Sequence, residues 1–520
     1  MNGEESLNSQ ATSHTIHSLL DAAVAEVPGS AAIRDATGTW TYRELDAASR
    51  GFAAWLRGQG IGRGDRVLVQ LHSSRELAAM FYGTSRAGAV FVPLNPAMKE
   101  FHLTSVLDNA EPALVITDAP RAALLRRISS APVHDLADVW PKAEGSHDDY
   151  GDGDDVDGRS TSDAEPDPVR ADDLAVLIYT SGSTAAPKAV MCPQSQVAFA
   201  SRALTEGLGY RSDDVVFCRF PMSWDYGLFK VLMACIARCQ IVLADGESDF
   251  VLLKRMRETG VTVVPIVPSL ASMITRLAGR DTEPVSTVRM FTNTGAALPQ
   301  ATIDALRQYF PGASVVRQYG QTEAKRITIM PPAEDRERPE SVGLPLPGTR
   351  VLILDADGDP VPTGEIGEIV TAGPHVMAGY WRNPEDTARS FRRDRSSGEP
   401  LLHTGDYGHL DADGYLYFNG RRDDMFKHKG FRMSTVEIES AAMDIPGVRA
   451  AAVLPPGDGH GLALFVESDL QAQEVTAELT KRLELPKVPT TCRVLTEFPL
   501  TLHGKNSRAA LTALLQGGAQ

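Results

Sequence analysis

Apolar positions in the first part of the chain alternate between helical and strand spacing. Residues 41–60, TYRELDAASRGFAAWLRGQG, predict an amphipathic helix because one face collects Leu45, Ala48, Phe52, Trp55 and Leu56. The next segment, DRVLVQL, predicts a buried strand, and ELAAMFYGTSRAGAVFVPLN predicts a helix, a turn and a strand. This order favours a mostly parallel sheet covered by helices.

The alternation resumes at Leu174 and continues to about Arg350, after which shorter segments follow. RVLILDADGDPVP, GEIGEIVTAG and GHLDADGYLYFNG are strand-like runs separated by Asp-Gly and Asn-Gly pairs, which predict a smaller antiparallel unit. From about Asp424 to Gln520, helix and strand alternate again in STVEIESAAMDI, AAAVLPP, LALFVES and TAELTKRLEL. We predict an α/β fold, with one domain over 1–422 and a smaller α+β domain over 423–520.

One segment, Glu144 to Asp173, interrupts the pattern. It is acidic, rich in Gly, Ser and Pro, and nearly free of large apolar residues, so it cannot bury enough surface to offset the entropy of ordering. Its DGDGDD-like runs suggest calcium ligands, but the spacing and the distal Glu of an EF-hand loop are missing. We predict a solvated linker.

The composition limits the class of protein. The chain has 520 residues, 43% hydrophobic and 23% charged, which is too long for a single core. No apolar run reaches the roughly 18–20 residues of a membrane span, and the N-terminus does not resemble a secretory signal. Net charge of −16 disfavours nucleic-acid binding.

Five cysteines in a chain of this size predict a reducing, cytoplasmic location rather than a disulfide framework. Cys235 and Cys239 lie four apart in the helix-like run VLMACIARC. A metal pair and ordinary helix packing are both open, and the absence of a second ligand pair nearby favours packing.

The stretch LIYTSGSTAAPKAVM places many hydroxyl groups and one cation directly after a strand-like run. Flexible backbone amides, hydroxyls and a compact ammonium can together bind the β- and γ-phosphates of a nucleotide. The candidate residues are Thr180, Ser181, Gly182, Ser183, Thr184 and Lys188. The pattern is not the GxxxxGK[ST] of P-loop proteins, and such a loop taken alone is usually only a loop.

This stretch resembles the phosphate loop YTSGSTGxPKGV of the adenylate-forming enzymes, which include acyl-CoA synthetases, nonribosomal-peptide adenylation domains and luciferases. Further family motifs follow in order over roughly residues 30–515. They are NTGAAL, QYGQTEA, HTGDYGHLDADGYLYFNGRRDD, FKHKGFRMSTVEIE and PLTLHGK. The resemblance implies a large domain of two helix-covered sheets with a small β unit, and a small mobile C-terminal domain.

The resemblance also implies ATP and Mg²⁺ as cofactors of an AMP-forming acid–thiol ligase. Glu323 corresponds to the Mg²⁺ ligand, Thr322 to a contact with the α-phosphate, and Lys505 to the catalytic lysine of the terminal loop. The ribose would lie at Asp406 and Arg421. The adenine would lie at Gly295, Ala296, Ala297, Gln318, Tyr319 and Gly320.

In the family, the acid is first joined to AMP and then transferred to a thiol, and the C-terminal domain rotates between the two steps. Asp423 is the expected hinge. The chain departs from the family pattern at Ala185 and Ala189, where Gly is usual, and at Gln194. An Ala at a position that needs positive φ would cost about 1 kcal/mol.

Two features predict which acid is activated. Asp225, in FPMSWDYGLFKVL, falls where amino-acid-activating members hold the substrate ammonium. Lys325 and Arg326 follow the QTEA motif and could bind a second carboxylate. Together they describe an acidic amino acid. The alternatives are that Asp225 caps a helix beginning at Tyr226, and that the basic pair is a surface feature or pairs with an acid of the chain.

The combination resembles the stand-alone enzymes that load β-amino acids onto carrier proteins in the polyketide pathways of macrolactam antibiotics, of the 3-methylaspartate type, as in vicenistatin biosynthesis. By that resemblance Thr294 and Ser269 also line the acid site. A free acyl carrier protein would accept the product on its phosphopantetheine thiol, near a basic patch. The candidates for that patch are Arg421, Arg422, Lys427, Lys429 and Arg432.

Two other functions remain open. An acyl-CoA ligase would share the first step and use free CoA, and a non-catalytic relative would bind nucleotide without turnover. Asp225 and the Lys325–Arg326 pair favour the amino acid, and the intact Lys505, Glu323 and Asp406 favour catalysis.

Overall fold

A computed structural model gives the structure of the protein. It describes residues 14–145, 168–180, 188–244, 246–421, 425–428, 431–457, 460–483, 485–496, 498–499 and 508–516. Several residues singled out above therefore lie outside the described residues. They are Ser181, Gly182, Ser183, Thr184, Ala185, Arg422, Asp423, Lys429, Lys505 and the middle of the acidic segment, 146–167.

The secondary structure alternates as the sequence pattern predicts. The strands are β1 Ala31–Arg34, β2 Thr39–Thr41, β3 Arg66–Gln70, β4 Val90–Pro93, β5 Leu114–Thr117, β6 Val133–Asp135, β7 Leu174–Thr180, β8 Lys188–Pro193, β9 Val215–Cys218, β10 Gln240–Leu243, β11 Val263–Ile266, β12 Met290–Asn293, β13 Ser314–Tyr319, β14 Thr328–Ile329, β15 Ser341–Pro345, β16 Arg350–Leu354, β17 Gly367–Ala372, β18 Phe391–Arg393, β19 Pro400–Leu410, β20 Leu416–Arg421, β21 Met425–His428, β22 Phe431–Ser434, β23 Val448–Leu454, β24 Ala463–Ser468 and β25 Thr491–Leu495.

The α-helices lie mostly between these strands. They are α1 Ile16–Glu26, α2 Tyr42–Gly58, α3 Arg75–Arg86, α4 Glu100–Ala110, α5 Ala119–Ile128, α6 Leu136–Gly145, α7 Gln194–Gly207, α8 Asp225–Ala237, α9 Leu252–Thr259, α10 Pro268–Ala278, α11 Gln300–Tyr309, α12 Pro384–Ser390, α13 Thr435–Met443, α14 Ala472–Thr480 and α15 Arg508–Gln516.

Two large sheets organise the chain up to β20. One has six strands in the order β6-β5-β3-β4-β7-β8, parallel except for the β7–β8 hairpin. The other runs β16-β17-β19-β20-β15-β14-β13-β12-β11-β9-β10-β1-β2, with β18 beside β19. Its strands from β13 to β1 are parallel, and those from β14 to β20 form the antiparallel unit. The predicted α/β class is confirmed.

A smaller unit follows β20. Strands β23, β24 and β25 form a three-stranded sheet, antiparallel in its first pair and parallel in its second. Helices α13 and α14 contribute Ile438, Val475 and Leu479 to a core that these strands complete with Leu464 and Val466. This core is distinct from those of the two large sheets, as an α+β domain requires.

Helix α2 shows how the local sequence produces an element. Thr41 is its N-cap and accepts a hydrogen bond from the Glu44 amide, while the Glu44 carboxylate accepts from the Thr41 amide. This reciprocal capping satisfies two donors that the helix end leaves free. Phe52 and Leu56 are fully buried on the apolar face, so the predicted amphipathic helix is confirmed.

Three sequence expectations change in the structure. Helix α6 extends to Gly145, so the first residues of the predicted linker are helical. At the other end of the predicted linker, the Asp173 carboxylate forms an ion pair with the Arg63 guanidinium at 2.5 Å. Cys239 lies beyond the end of α8, because Arg238 takes a left-handed conformation there. Within the described residues, no group of three potential metal-ligating side chains is found.

The described residues contain no helix that is both long and apolar enough to cross a bilayer.

Candidate active site

The β7–β8 hairpin holds the two ends of the predicted phosphate loop together. Thr180 pairs with Lys188 in the strand register, and the Thr180 hydroxyl donates to the Lys188 carbonyl at 3.3 Å. The Lys188 ammonium lies 2.7 Å from a carboxylate oxygen of Asp386, whose pKa this contact lowers. Ala189 pairs with Tyr179 in regular strand, so the usual Gly is not needed at this position.

A second polar group joins the two halves of the large sheet. The Tyr319 hydroxyl donates to Asp406 at 2.7 Å, and Arg421 approaches the other carboxylate oxygen of Asp406 at 3.4 Å. Burial, and then the neighbouring carboxylate, raise the pKa of Tyr319, so the phenol remains a donor. Residues 87 positions apart therefore meet as the ribose and adenine motifs predict.

Glu323 is the predicted Mg²⁺ ligand, and Tyr380 orients it. The Tyr380 hydroxyl donates to one Glu323 oxygen at 2.7 Å, and the Glu323 carbonyl accepts from the Met377 amide. Burial and the Glu323 charge raise the pKa of Tyr380. Because Mg²⁺ commonly takes one or two carboxylates plus substrate phosphates, a single partly buried Glu beside the phosphate hairpin fits this ion. Thr322, next to it, is partly exposed.

The NTGAAL segment turns sharply after β12. Gly295 has φ of +83°, a conformation that side chains disfavour, and Asn293 donates to the Ala296 carbonyl at 2.9 Å. Gly295, Ala296 and Ala297 are exposed, as a surface that receives a flat base requires, whereas Thr294 is buried. Ser269 lies exposed in the first turn of α10.

Asp225 begins helix α8 and lines a narrow cavity. Trp224 occupies the N-cap position and the helix starts at Asp225 itself. The alternative that Asp225 caps a helix starting at Tyr226 is therefore wrong. A carboxylate in the first turn is stabilised by the helix dipole and remains available to a ligand.

Lys325 and Arg326 line the same cavity and are only 2% and 6% exposed. The Lys325 ammonium lies 4.5 Å from the centre of the Phe229 ring and has no hydrogen-bond partner. Arg326 lies over Tyr226 and donates to Gln318 at 3.3 Å. Since neither cation has an ion-pair partner among the described residues, the surface-pair and internal ion-pair alternatives are both wrong for that part of the chain.

The backbone of this turn is constrained. Lys325 has φ of +58°, which is uncommon for a residue with a side chain and costs about 1 kcal/mol. A Cβ at Gly320 would lie 2.6 Å from the Arg326 Cα, so the chain can return this closely only past a glycine. Strand β13 directs Gln318 to the cavity lined by Asp225 and Tyr319 to Asp406, because successive strand residues face opposite sides.

Of the charged residues that line this cavity, sequence reasoning missed Lys230. It lies on α8 five residues after Asp225 and is 2% exposed. Its ammonium donates to the Tyr210 hydroxyl at 3.1 Å. Burial, and then the positive charge of Arg326, lower the pKa of Lys230 to about 7. The sequence did hold a sign of this role, because Lys230 is the single charged residue in the apolar run GLFKVLMA. Ordinary helix packing does not explain a lysine at that position.

Gln194, which departs from the family pattern, has a structural role. Its side-chain oxygen accepts hydrogen bonds from the Ile16 amide at 2.8 Å and from the Ser85 hydroxyl at 3.1 Å. It thereby connects α7 to α1 and α3.

Known proteins with similar sequences and structures indicate the family to which this chain belongs. The family model of the AMP-binding enzymes matches residues 20–381. The solved structure of VinN is 54% identical, covers 78% of this chain and 98% of its own, and superposes with a TM-score of 0.72. VinN has also been solved with L-aspartate and with 3-methylaspartate.

Curated relatives differ in length. A 3-hydroxybenzoate–CoA ligase from Aromatoleum sp. (strain CIB) is 31% identical over 92% of both chains. The probable non-canonical nonribosomal peptide synthetase CymA from Salinispora arenicola is 32% identical over 96% of this chain, which spans only 6% of CymA. The chain belongs to the AMP-binding enzyme family, as its motifs predicted, and is an AMP-forming ligase.

Proposed function

We propose that the protein activates an acidic amino acid, of the aspartate or 3-methylaspartate type, as its aminoacyl-adenylate. The phosphopantetheine thiol of a stand-alone acyl carrier protein in natural-product biosynthesis then attacks the acyl carbon, so that a thioester forms, the bond to the phosphate oxygen breaks and AMP leaves. The observation that carries this proposal is one cavity lined by the Asp225 carboxylate and by the buried cations Lys325 and Arg326.

The charges of the cavity match such a substrate. An unpaired buried cation is costly, and a ligand carboxylate that accepts hydrogen bonds from it removes that cost. Asp225 provides a negative partner for the substrate ammonium. A fatty acid would leave all three charges without partners, which disfavours that substrate class. The complexes of VinN with L-aspartate and 3-methylaspartate support the same substrate class.

The remaining residues serve the phosphates. An oxygen of the reacting carboxylate attacks the α-phosphorus of ATP, a new P–O bond forms, and the bond to the β-phosphate breaks to release pyrophosphate. Mg²⁺ would neutralise phosphate charge beside Glu323, which Tyr380 holds in place. Tyr319, Asp406 and Arg421 would bind the nucleoside, and Thr322 and Lys505 the reacting phosphate and carboxylate.

Free CoA is the second candidate acceptor. It is supported by the 3-hydroxybenzoate–CoA ligase, which matches this chain over nearly its whole length. The charged cavity argues against an aromatic or aliphatic acid, but it concerns the acid rather than the thiol and therefore does not distinguish between acceptors.

ATP–pyrophosphate exchange across a panel of acids tests the substrate class. We expect exchange with L-aspartate and 3-methylaspartate to exceed exchange with β-alanine, neutral β-amino acids and short fatty acids by about 100-fold. These other acids lack the second carboxylate, so two or more charge-assisted hydrogen bonds are lost. Equal exchange with fatty acids would refute the proposal. Supplying either CoA or a phosphopantetheinylated carrier protein to the best substrate then identifies the acceptor.

A further inference from the structure

We propose that Lys230 is a third cation of the acid site, binding the non-reacting carboxylate of the substrate together with Lys325 and Arg326. The inference rests on the proposed function and adds a specificity-determining residue to it.

The position of Lys230 in the fold supports this role. Lys230 lines the cavity that Asp225, Lys325 and Arg326 also line. On α8 it lies five residues after Asp225, which corresponds to about 7.5 Å along the helix axis. One helix thus carries the negative partner for an ammonium group at its start and a positive partner for a carboxylate further along.

The second support is the cluster of charges. The Lys230 ammonium lies 5.2 Å from the centre of the Tyr226 ring, and the Arg326 guanidinium lies 4.9 Å from the same centre. Both cations therefore flank one ring. In the part of the chain that the structure describes, no carboxylate forms an ion pair with Lys230, Lys325 or Arg326. Three buried cations without an ion pair to any described residue favour an anionic ligand.

The third support is capacity for hydrogen bonds. An ammonium has three donors, and Lys230 gives one to the Tyr210 hydroxyl at 3.1 Å and one to the Met233 sulfur, a weak acceptor, at 3.7 Å. The Tyr226 hydroxyl is already bonded to the Thr292 carbonyl at 2.6 Å. One Lys230 donor is then left for an oxygen ligand, and one carboxylate has about four acceptor sites, enough for the three cations.

Protonation of Lys230 follows from its surroundings. Tyr210, Tyr226, Cys218 and Arg326 are the titratable and charged groups around it, with Asp225 and Lys325 across the cavity. Burial and Arg326 bring its pKa to about 7, so the free enzyme loses this charge near neutral pH. A bound carboxylate raises the pKa again. Affinity for the acidic substrate is therefore complete below pH 7 and falls by up to about tenfold per unit above it.

Steady-state exchange with matched substrates tests the inference. In the wild type we expect the KM for L-aspartate to rise between pH 7 and 8.5 more steeply than the KM for β-alanine, which lacks the second carboxylate. In Lys230→Met, the KM for L-aspartate should rise about 10–100-fold at pH 6.5 and its extra pH dependence should disappear. The KM for β-alanine should change less than about threefold.

The exposed Lys254 on α9 gives a matched control, since Lys254→Met makes the same change away from the cavity. Equal loss for both substrates, or an unchanged pH profile, would overturn the role of Lys230. If Lys230→Met does not fold, Lys230→Arg must keep the preference for aspartate, and the wild-type pH profile remains a direct test. A wild type that prefers neutral acids would instead refute the proposed function itself.

Discussion

Lys325 combines two costs at a single residue. Its backbone is left-handed and its ammonium is buried without a hydrogen-bond partner. Both are unfavourable for folding, and strained conformations of this kind cluster at binding sites. The substrate carboxylate would remove the second cost on binding. The residue is therefore expected to support function at the expense of stability.

Lys325→Met tests that trade-off, because it keeps the backbone and most of the side-chain volume while removing the charge. We expect kcat/KM for L-aspartate to fall about 10–100-fold, with a smaller change for β-alanine. Stability without substrate should rise by about 1 kcal/mol, since a buried unpaired charge is removed. Substrate-dependent exchange and thermal unfolding measure the two effects. Lower stability together with equal losses for both substrates would contradict a carboxylate-binding role.

At the scale of elements, the sequence predicted the helices, strands and turns that depend on the local pattern of residues. The period of the apolar residues and the Thr41–Glu44 capping pair define α2, and Asp-Gly turns separate β16 from β17 and β19 from β20. The Asn419–Gly420 pair, also expected to separate strands, lies inside β20 instead. These features lie within a few residues of one another. A single sequence therefore sufficed to predict them.

Contacts between distant elements were harder to predict. Tyr380 meets Glu323 across 57 positions, and no motif singled out Tyr380. Lys230 belongs to α8, whereas the other two cations follow β13, so only the folded chain shows that the three surround one cavity. Tyr319 and Asp406, which the motifs assign to the nucleotide, do meet, because family resemblance supplied the long-range information that composition and period lack.

Gln194 provides a prediction about how elements are held together. Gln194→Ala would leave the buried Ile16 amide at the start of α1 without its acceptor, which costs about 1–3 kcal/mol. We expect a lower midpoint of thermal unfolding, with exchange activity preserved at lower temperature. Gln196→Ala, in the same turn of α7 but partly exposed, is the control. A pair of equally stable variants would show that Gln194 does not connect these helices.

At the scale of the whole molecule, the proposed function requires the chain to serve two reactions with one set of bound groups. The cavity proposed to bind the acid and the Tyr319–Asp406–Arg421 group belong to the large sheet, whose side chains are close-packed. The smaller unit has its own core around β23, β24 and β25. Separate cores allow one unit to change position without unfolding the other. Such a division suits a cycle in which the small domain completes the site for adenylation and is then displaced for thiol transfer.

Lys505 separates the two reactions experimentally. It lies outside the described residues, so the prediction rests on the PLTLHGK motif. Lys505→Ala should lower ATP–pyrophosphate exchange by at least about 100-fold, because the charge that develops at the α-phosphate loses its partner. ATP affinity, measured by calorimetry, should change little. When chemically prepared aminoacyl-adenylate is supplied, transfer to the carrier-protein thiol should proceed at close to the wild-type rate. Lys481→Ala, an exposed lysine of the same unit, should affect neither reaction. Parallel loss of both reactions in the Lys505 variant would mean that one arrangement of the two units serves the whole cycle, and the two-position cycle would be wrong.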